Sequence, residues 1–232
     1  MEGWCPELGS AIGQILGHAT AVAISPIPLI AIVLMLTTPR GRANGLAFAA
    51  GWILTIVAAL VVLGTVSGVL GANRSGHPAS WVPWFKLVFG LLILAMATAQ
   101  FVKLRRQVET GSVEQPGWMN KLDEFTPIKS ATLAATLVVA NPKNLTQLIV
   151  GALTITSLTP GSGNRALAAL VFVVLAALCV VVPLLVHTIG GDRAAATLAT
   201  WKEWTVRNNT LVMGILFLVL GMKSLGDGIA GL

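Results

Sequence analysis

The sequence predicts an all-α membrane protein: six transmembrane helices arranged as a 3+3 inverted repeat, with the first and fourth helices broken. Three observations predict it. Apolar residues make up 55% of the 232-residue chain and charged residues only 10%, far from soluble composition. Six apolar runs are each long enough to cross a hydrocarbon core about 30 Å thick. Prolines then interrupt the first and fourth runs near their middles, at Pro26, Pro28 and Pro142.

In chain order the expected spans are Leu8–Leu36, Ala43–Leu70, Trp84–Leu104, Ser130–Leu158, Arg165–Ile189 and Arg207–Ile229. Polar or Gly/Pro-rich stretches separate them and supply the turns. Met1–Leu8 carries Glu2 and Glu7 but no Lys or Arg, and the run that follows is too long for a signal peptide, so the first span is expected to be retained. A proline in the second and fourth positions of Ser25-Pro26-Ile27-Pro28 removes helix donors and clashes with the preceding turn, which breaks the first span. Asn141-Pro142-Lys143-Asn144 does the same to the fourth. Pro183 is expected to kink the fifth.

Each half opens on a broken span. Ser25-Pro26-Ile27-Pro28-Leu29 falls opposite Asn141-Pro142-Lys143-Asn144-Leu145, and Leu87, Val88, Gly90, Leu92 and Leu94 of the third span match Leu211, Val212, Gly214, Leu216 and Leu218 of the sixth. Residues 1–104 therefore form a first repeat, 105–129 a cytoplasmic connecting loop and 130–232 a second repeat. Three spans per half is an odd number, so the halves enter the membrane with opposite polarity, and repeats of that kind often bind substrate where their discontinuous helices meet.

Arg40, Arg42, Lys103, Arg105, Arg106, Lys121, Lys129, Arg193, Lys202 and Arg207 fall on one side, against Arg74, Lys86, Arg165 and Lys223 on the other. The positive-inside rule places both termini outside a plasma (inner) membrane. These flanking residues account for the net charge of +6, so no nucleic-acid partner is expected. Six of the seven tryptophans, Trp4, Trp81, Trp84, Trp118, Trp201 and Trp204, sit near span boundaries, where amphipathic rings are favoured. Trp118, Leu122 and Phe125 suggest a short helix lying on the membrane surface. Cys5 and Cys179 form no metal-ligand or redox spacing; no metal or cofactor is expected, and Cys179 reads as a small buried hydrophobe.

Lys143 carries the functional argument. An ammonium near mid-bilayer costs roughly 2.5–3.5 kcal/mol on insertion scales, and such residues mark pathways and sites. All nine acidic residues lie in loops or near span ends, so no intramembrane carboxylate neutralises it. The remaining choices are a neutral amine, carbonyls freed by the helix breaks, or an anion supplied by a substrate, and the last is preferred. Thr136, Lys143, Gln147 and Thr154 share one helical sector, and Gln14, His18 and Ser25 repeat the spacing on the first span. With Asn141 and Asn144 these residues are expected to line a cavity, although a histidine in an apolar helix is more often a packing residue. Gly13-x-x-x-Gly17 reads as a close helix contact, and Gly64 and Gly68 suit packing within one protomer or in a homo-oligomer.

Asn141-Pro142-Lys143 resembles the fourth-helix motif of the lysine-exporter (LysE) superfamily, and Ser25-Pro26-Ile27-Pro28 its first-helix Pro-Gly-Pro motif. Together with the length, the pattern looks most like the mycobacterial GAP family, which addresses glycolipids and peptidoglycolipids to the cell surface. Ile27 stands where amino-acid exporters of the superfamily carry glycine, which leans away from small amino acids. The resemblance implies a secondary-type exporter of an anionic lipid or glycolipid, in contact with membrane lipids. Alternatives are an accessory subunit of a larger cell-envelope lipid export complex, a small-solute exporter, and an intramembrane lipid-modifying enzyme using Lys143 and His18. An enzyme is not expected, because no carboxylate, Cys-His pair or metal cluster joins those two.

Overall fold

The computed structural model describes residues 6–36, 38, 40–69, 73–74, 77–78, 81–110, 125–159 and 161–232. Eight helices carry the described chain: α1 Pro6–Ala23, α2 Pro26–Leu36, α3 Gly41–Val69, α4 Trp81–Thr110, α5 Pro127–Val139, α6 Pro142–Leu158, α7 Ser162–Ile189 and α8 Gly191–Ile229. A two-residue antiparallel pairing of β1 Asn73–Arg74 with β2 His77–Pro78 precedes α4.

The breaks follow from local chemistry. Ser25 precedes Pro26 at the first position of α2, and Pro26 and Pro28 lie in the first turn, where a helix has no internal use for N–H groups. The chain bends by 50° between the two helices. Asn141 caps α6 by accepting the Lys143 backbone N–H at 3.0 Å, with Pro142 at the first helical position. Thr126 and Pro127 start α5 in the same way. Gly161, with φ of 82°, turns the chain into α7 through a backbone region closed to most side chains.

Four helices, α3, α4, α7 and α8, are long and apolar enough to cross a membrane, and the bent α1–α2 pair passes the same test as a broken span or a re-entrant loop, five spans in all if the pair crosses. The chain is thus a multi-pass, helical membrane protein. Large apolar side chains such as Leu54, Val61 and Val88 are exposed around the bundle, as a lipid-facing surface requires. The fourth expected span is divided into α5 and α6, of 13 and 17 residues, each short for a crossing on its own.

One connection differs from expectation. The stretch before Arg207, read as a polar loop, is helical from Gly191 onward, so α8 runs 39 residues. Ala194, Leu198 and Thr205 are buried, and Trp201 packs against the main core, at spacings of four, three and four residues. That periodicity makes the segment an amphipathic helix folded back on the bundle, with Arg193 and Glu203 exposed on the other side. Trp201 is therefore a packing residue. Likewise Phe125 packs on the core and its carbonyl accepts from Asn44 Nδ2 at 2.9 Å; Trp118, Leu122, Trp4 and Cys5 lie outside the described residues.

The main core joins α1, α2, α3, α5, α6 and α7 around Phe48 and Trp52, stacked at 6.4 Å; the Trp52 indole donates to the Ala176 carbonyl of α7 at 3.1 Å. Helix α3 packs on α5 and α7, and α1 on α7 and α6. Helices α4 and α8 form an antiparallel pair with a second cluster that includes Ile93, Ala97, Met213 and Phe217. Bilayer lipid is as apolar as leucine, so close contact rather than water exclusion holds such helices together. Gly51 allows that contact on α5, since a Cβ there would lie 2.7 Å from the Ala131 carbonyl oxygen. Gly90 and Gly221 do the same between α4 and α8, against Leu225 and Leu94. Gly13 and Gly17 do not: nothing lies within 4 Å of a Cβ at either position, because both face outward from α1.

Candidate functional site

The two helix breaks are tied to each other by one side chain. Lys143, in the first turn of α6, is fully buried, and its Nζ donates to the Ala21 carbonyl at 2.7 Å, the Ile24 carbonyl at 3.0 Å and Ser25 Oγ at 2.6 Å. The acceptors exist because α1 is interrupted. A continuous helix would have given the Ile24 carbonyl to the N–H of residue 28, and Pro28 has none. The Ser25 N–H turns to the Ala23 carbonyl at 2.9 Å, which frees the carbonyl of Ala21. An ammonium has three donors, and all three are used.

A polar chain continues from this point. Ser25 Oγ donates to Asn144 Oδ1 at 3.1 Å, and Asn144 Nδ2 donates to the Leu137 carbonyl at 3.2 Å, near the end of α5. Asn144 is fully buried. One turn further along α6, Gln147 Oε1 lies 2.7 Å from His18 Nδ1 of α1, which fixes a proton on that nitrogen; both side chains are buried. A crevice of about 20 Å³, room for about one water, is lined by His18, Gln147 and Thr146 and by Lys86, Lys223 and Asp227. Lys223 and Asp227 pair at 2.7 Å at its rim.

The structure thus joins Lys143, Ser25 and Asn144 in one buried hydrogen-bonded chain and places the buried His18–Gln147 pair one turn away on the same two spans, with Pro26 and Pro28 at the border. Three expected residues stand apart. Gln14 is exposed: four residues from His18 is 40° further round the helix, beyond the buried stripe of Ile15, His18, Ala19 and Val22. Asn141 is half-buried and spends its side-chain oxygen on the α6 cap. Pro142 is exposed and acts by starting α6. Thr136 is also outside, exposed on α5 and bonded back to the Thr132 carbonyl, because the break at Ala140–Asn141 ends the helical phase that linked it to Lys143.

Among the described residues no carboxylate reaches Lys143, as the sequence requires, and the freed backbone carbonyls satisfy it instead. Carbonyls freed by the breaks were one of the expected choices, though not the preferred one, and the structure identifies them as those of Ala21 and Ile24. The signal for one of them was present, since Pro28 stands four residues after Ile24.

Neither the curated proteins nor the solved structures contain a match to this chain. A family profile does match it, from residue 15 to residue 230, spanning the break between α1 and α2, the Lys143 network and all of α8. The match covers most of the chain, which belongs to the family described as SfLAP: Sap, sulfolipid-1-addressing protein.

Proposed function

We propose that this protein is a secondary-type exporter or translocator of an anionic lipid, with its substrate site at the Lys143 network. The observation that carries the reading is a fully buried cation, lacking any carboxylate partner among the described residues and held by carbonyls of the opposite helix break. Neutral acceptors hold an ammonium less firmly than an anion does. A sulfate, phosphate or carboxylate head group would displace the Ala21 and Ile24 carbonyls, and release of that tie would free α1–α2 from α6. The family's name speaks of a sulfolipid, whose head group is such an anion.

Alternating access follows if the halves form a 3+3 inverted repeat of the LysE type, with both termini outside the plasma membrane. Packing supports this arrangement. The alignment that sets Leu87 on Leu211 carries Gly90 onto Gly214 and Phe101 onto Leu225, and the structure has Gly90 against Leu225 and Gly214 against Phe101. The two contacts exchange under the repeat. The pairing of α3 with α5 likewise mirrors that of α7 with α1. No nucleotide-binding motif of the Gly-x-x-x-x-Gly-Lys-[Ser/Thr] kind occurs in the sequence, so the drive would come from a gradient or a partner. No covalent chemistry is assigned to the site.

The test is reconstitution of the wild type, Lys143→Ala and Lys143→Gln in liposomes, following anionic lipids against zwitterionic lipids of the same chains. Loss of anionic-lipid movement in both variants supports the reading. Equal movement by all three removes Lys143 from the mechanism, and Lys143→Gln retaining full activity reduces its role to hydrogen bonding.

A further inference from the structure

A second site lies away from Lys143, on the flank of the bundle where α3, α6 and α7 meet. A groove of about 660 Å³ runs there, within the range of roughly 300–1,000 Å³ typical of small-molecule sites. Its walls are apolar, from Val57 and Val61 of α3, Ala152 of α6 and Ala169 and Val173 of α7. The groove is open because the residues between the helices are small: a Cβ on Gly64 would meet only the Thr156 methyl, at 3.5 Å. The related face, where α2, α3 and α7 meet, is closed. There a Cβ on Gly45 would lie 2.6 Å from Leu36 and 3.3 Å from Leu184.

What can enter is limited by where the groove opens. Val57, Val61 and Leu170 are exposed on its lips, on the lipid-facing surface of a membrane helix bundle, so hydrocarbon rather than water is the medium outside. One end, however, carries a charge. Arg165, in the first turns of α7, donates from Nε to the Thr159 carbonyl at 3.0 Å and from Nη2 to the Thr156 carbonyl at 3.4 Å. It pairs with no carboxylate among the described residues. Further guanidinium N–H groups remain for a partner, in a fork suited to phosphate, sulfate or carboxylate. The apolar face of another helix would leave that charge unanswered; a lipid supplies the chain and the anion together.

We infer that this groove is a docking site for an anionic membrane lipid, one acyl chain lying between α3 and α7 and the head group bound by Arg165. The inference rests on the lipid-handling reading above but concerns a different place: Thr156 lies about 20 Å along α6 from Lys143 by helical rise. The site holds a lipid at the bundle's edge, whereas the Lys143 network handles a head group within it.

The test uses the full chain in nanodiscs of phosphatidylcholine with a trace of either phosphatidylglycerol or phosphatidylcholine carrying a diazirine in the acyl chain. After illumination, labelled peptides are mapped by mass spectrometry. Phosphatidylglycerol should label the α3 and α7 walls about tenfold more than phosphatidylcholine, because both offer a phosphate but only phosphatidylcholine sets a choline cation against Arg165. Arg165→Gln should erase the difference, and Ala169→Phe, which keeps the arginine but fills the groove, should remove labelling of the walls by both lipids. Equal labelling by the two lipids, indifference to Arg165→Gln, or chain-to-chain cross-links filling the groove would overturn the inference. Lys143→Ala separates the two readings: it should abolish transport while groove labelling persists. Transport without head-group preference in the groove sinks this site alone, and labelling without transport sinks the exporter alone.

Discussion

Whether Lys143 ties the two breaks together can be measured with Ser25→Ala. In the wild type this substitution removes an acceptor of the ammonium at 2.6 Å and the donor to Asn144 Oδ1 at 3.1 Å, both in a buried site. A hydrogen bond to a charged group contributes about 1.5–3 kcal/mol and a neutral one about 1 kcal/mol, so the loss should total about 3 kcal/mol. For a chain of this size that corresponds to roughly 6–12 °C in the unfolding midpoint. Lys143→Met by itself has a sign set by two opposing quantities, the relief of a buried charge and the three acceptors left bare, so its single value decides little. In that background, however, Ser25→Ala can forfeit only the bond to Asn144, about 1 kcal/mol. The double-mutant cycle should therefore show a coupling of about 2 kcal/mol. The assay is unfolding in bicelles for the wild type, both single variants and the double variant. Additivity within about 0.5 kcal/mol would refute the geometry, because residues in direct contact do not add.

Three further outcomes follow from the same packing. Gln147→Leu should leave His18 Nδ1 buried without its 2.7 Å partner and cost about 1–3 kcal/mol, read as a lower midpoint. Gly51→Ala presses a Cβ on backbone atoms of Ala131 at 2.7 and 2.8 Å and should destabilise by about 1–3 kcal/mol; Gly13→Ala meets nothing and should be neutral or gain up to about 1 kcal/mol, the helix-propensity difference. If the two glycines respond alike, the α3–α5 contact is wrong. Trp52→Phe keeps the stack on Phe48 but leaves the Ala176 carbonyl without the indole donor, and should lower the midpoint by the equivalent of about 1 kcal/mol.

Much of this was legible from residue types whose backbone behaviour is fixed. Proline has no N–H and a set φ, so Pro26, Pro28 and Pro142 marked both breaks, and the insertion cost of an ammonium marked Lys143. Other features depend on what a helix meets rather than on what it contains. Gly13-x-x-x-Gly17 has the spacing of a packing motif but faces outward, whereas Gly51, with no second glycine four residues away, carries the close approach to α5. Charge obscured the start of α8, since Arg193, Lys202 and Glu203 suggested a loop while Ala194, Leu198 and Trp201 kept helical period beneath them. Freed carbonyls were foreseen as possible partners of Lys143, but not which ones: a backbone carbonyl leaves no trace in residue identity except through the proline that fails to occupy it.

The proposed inverted repeat also bears on why the tie has a direction. Lys143 aligns with Ile27, so the chain places an ammonium in one half and an apolar side chain at the related position in the other. Two lysines would put like charges near each other around the same polar network, each raising the other's cost in a medium of low dielectric. One lysine avoids this and makes the halves unequal, with α6 donating and the α1–α2 break accepting. In the proposed mechanism a fully symmetric pair would bind an anion equally from either side, whereas here the cation would travel with α6 and the acceptors with α1 and α2. An anion that captured the ammonium would then stay with the second half as the first half moved away. Exchanging the two residues, Ile27→Lys with Lys143→Ile, should transfer the bound head group to the other half. Full transport with unchanged lipid preference in that swapped variant would show that the asymmetry has no part in the mechanism.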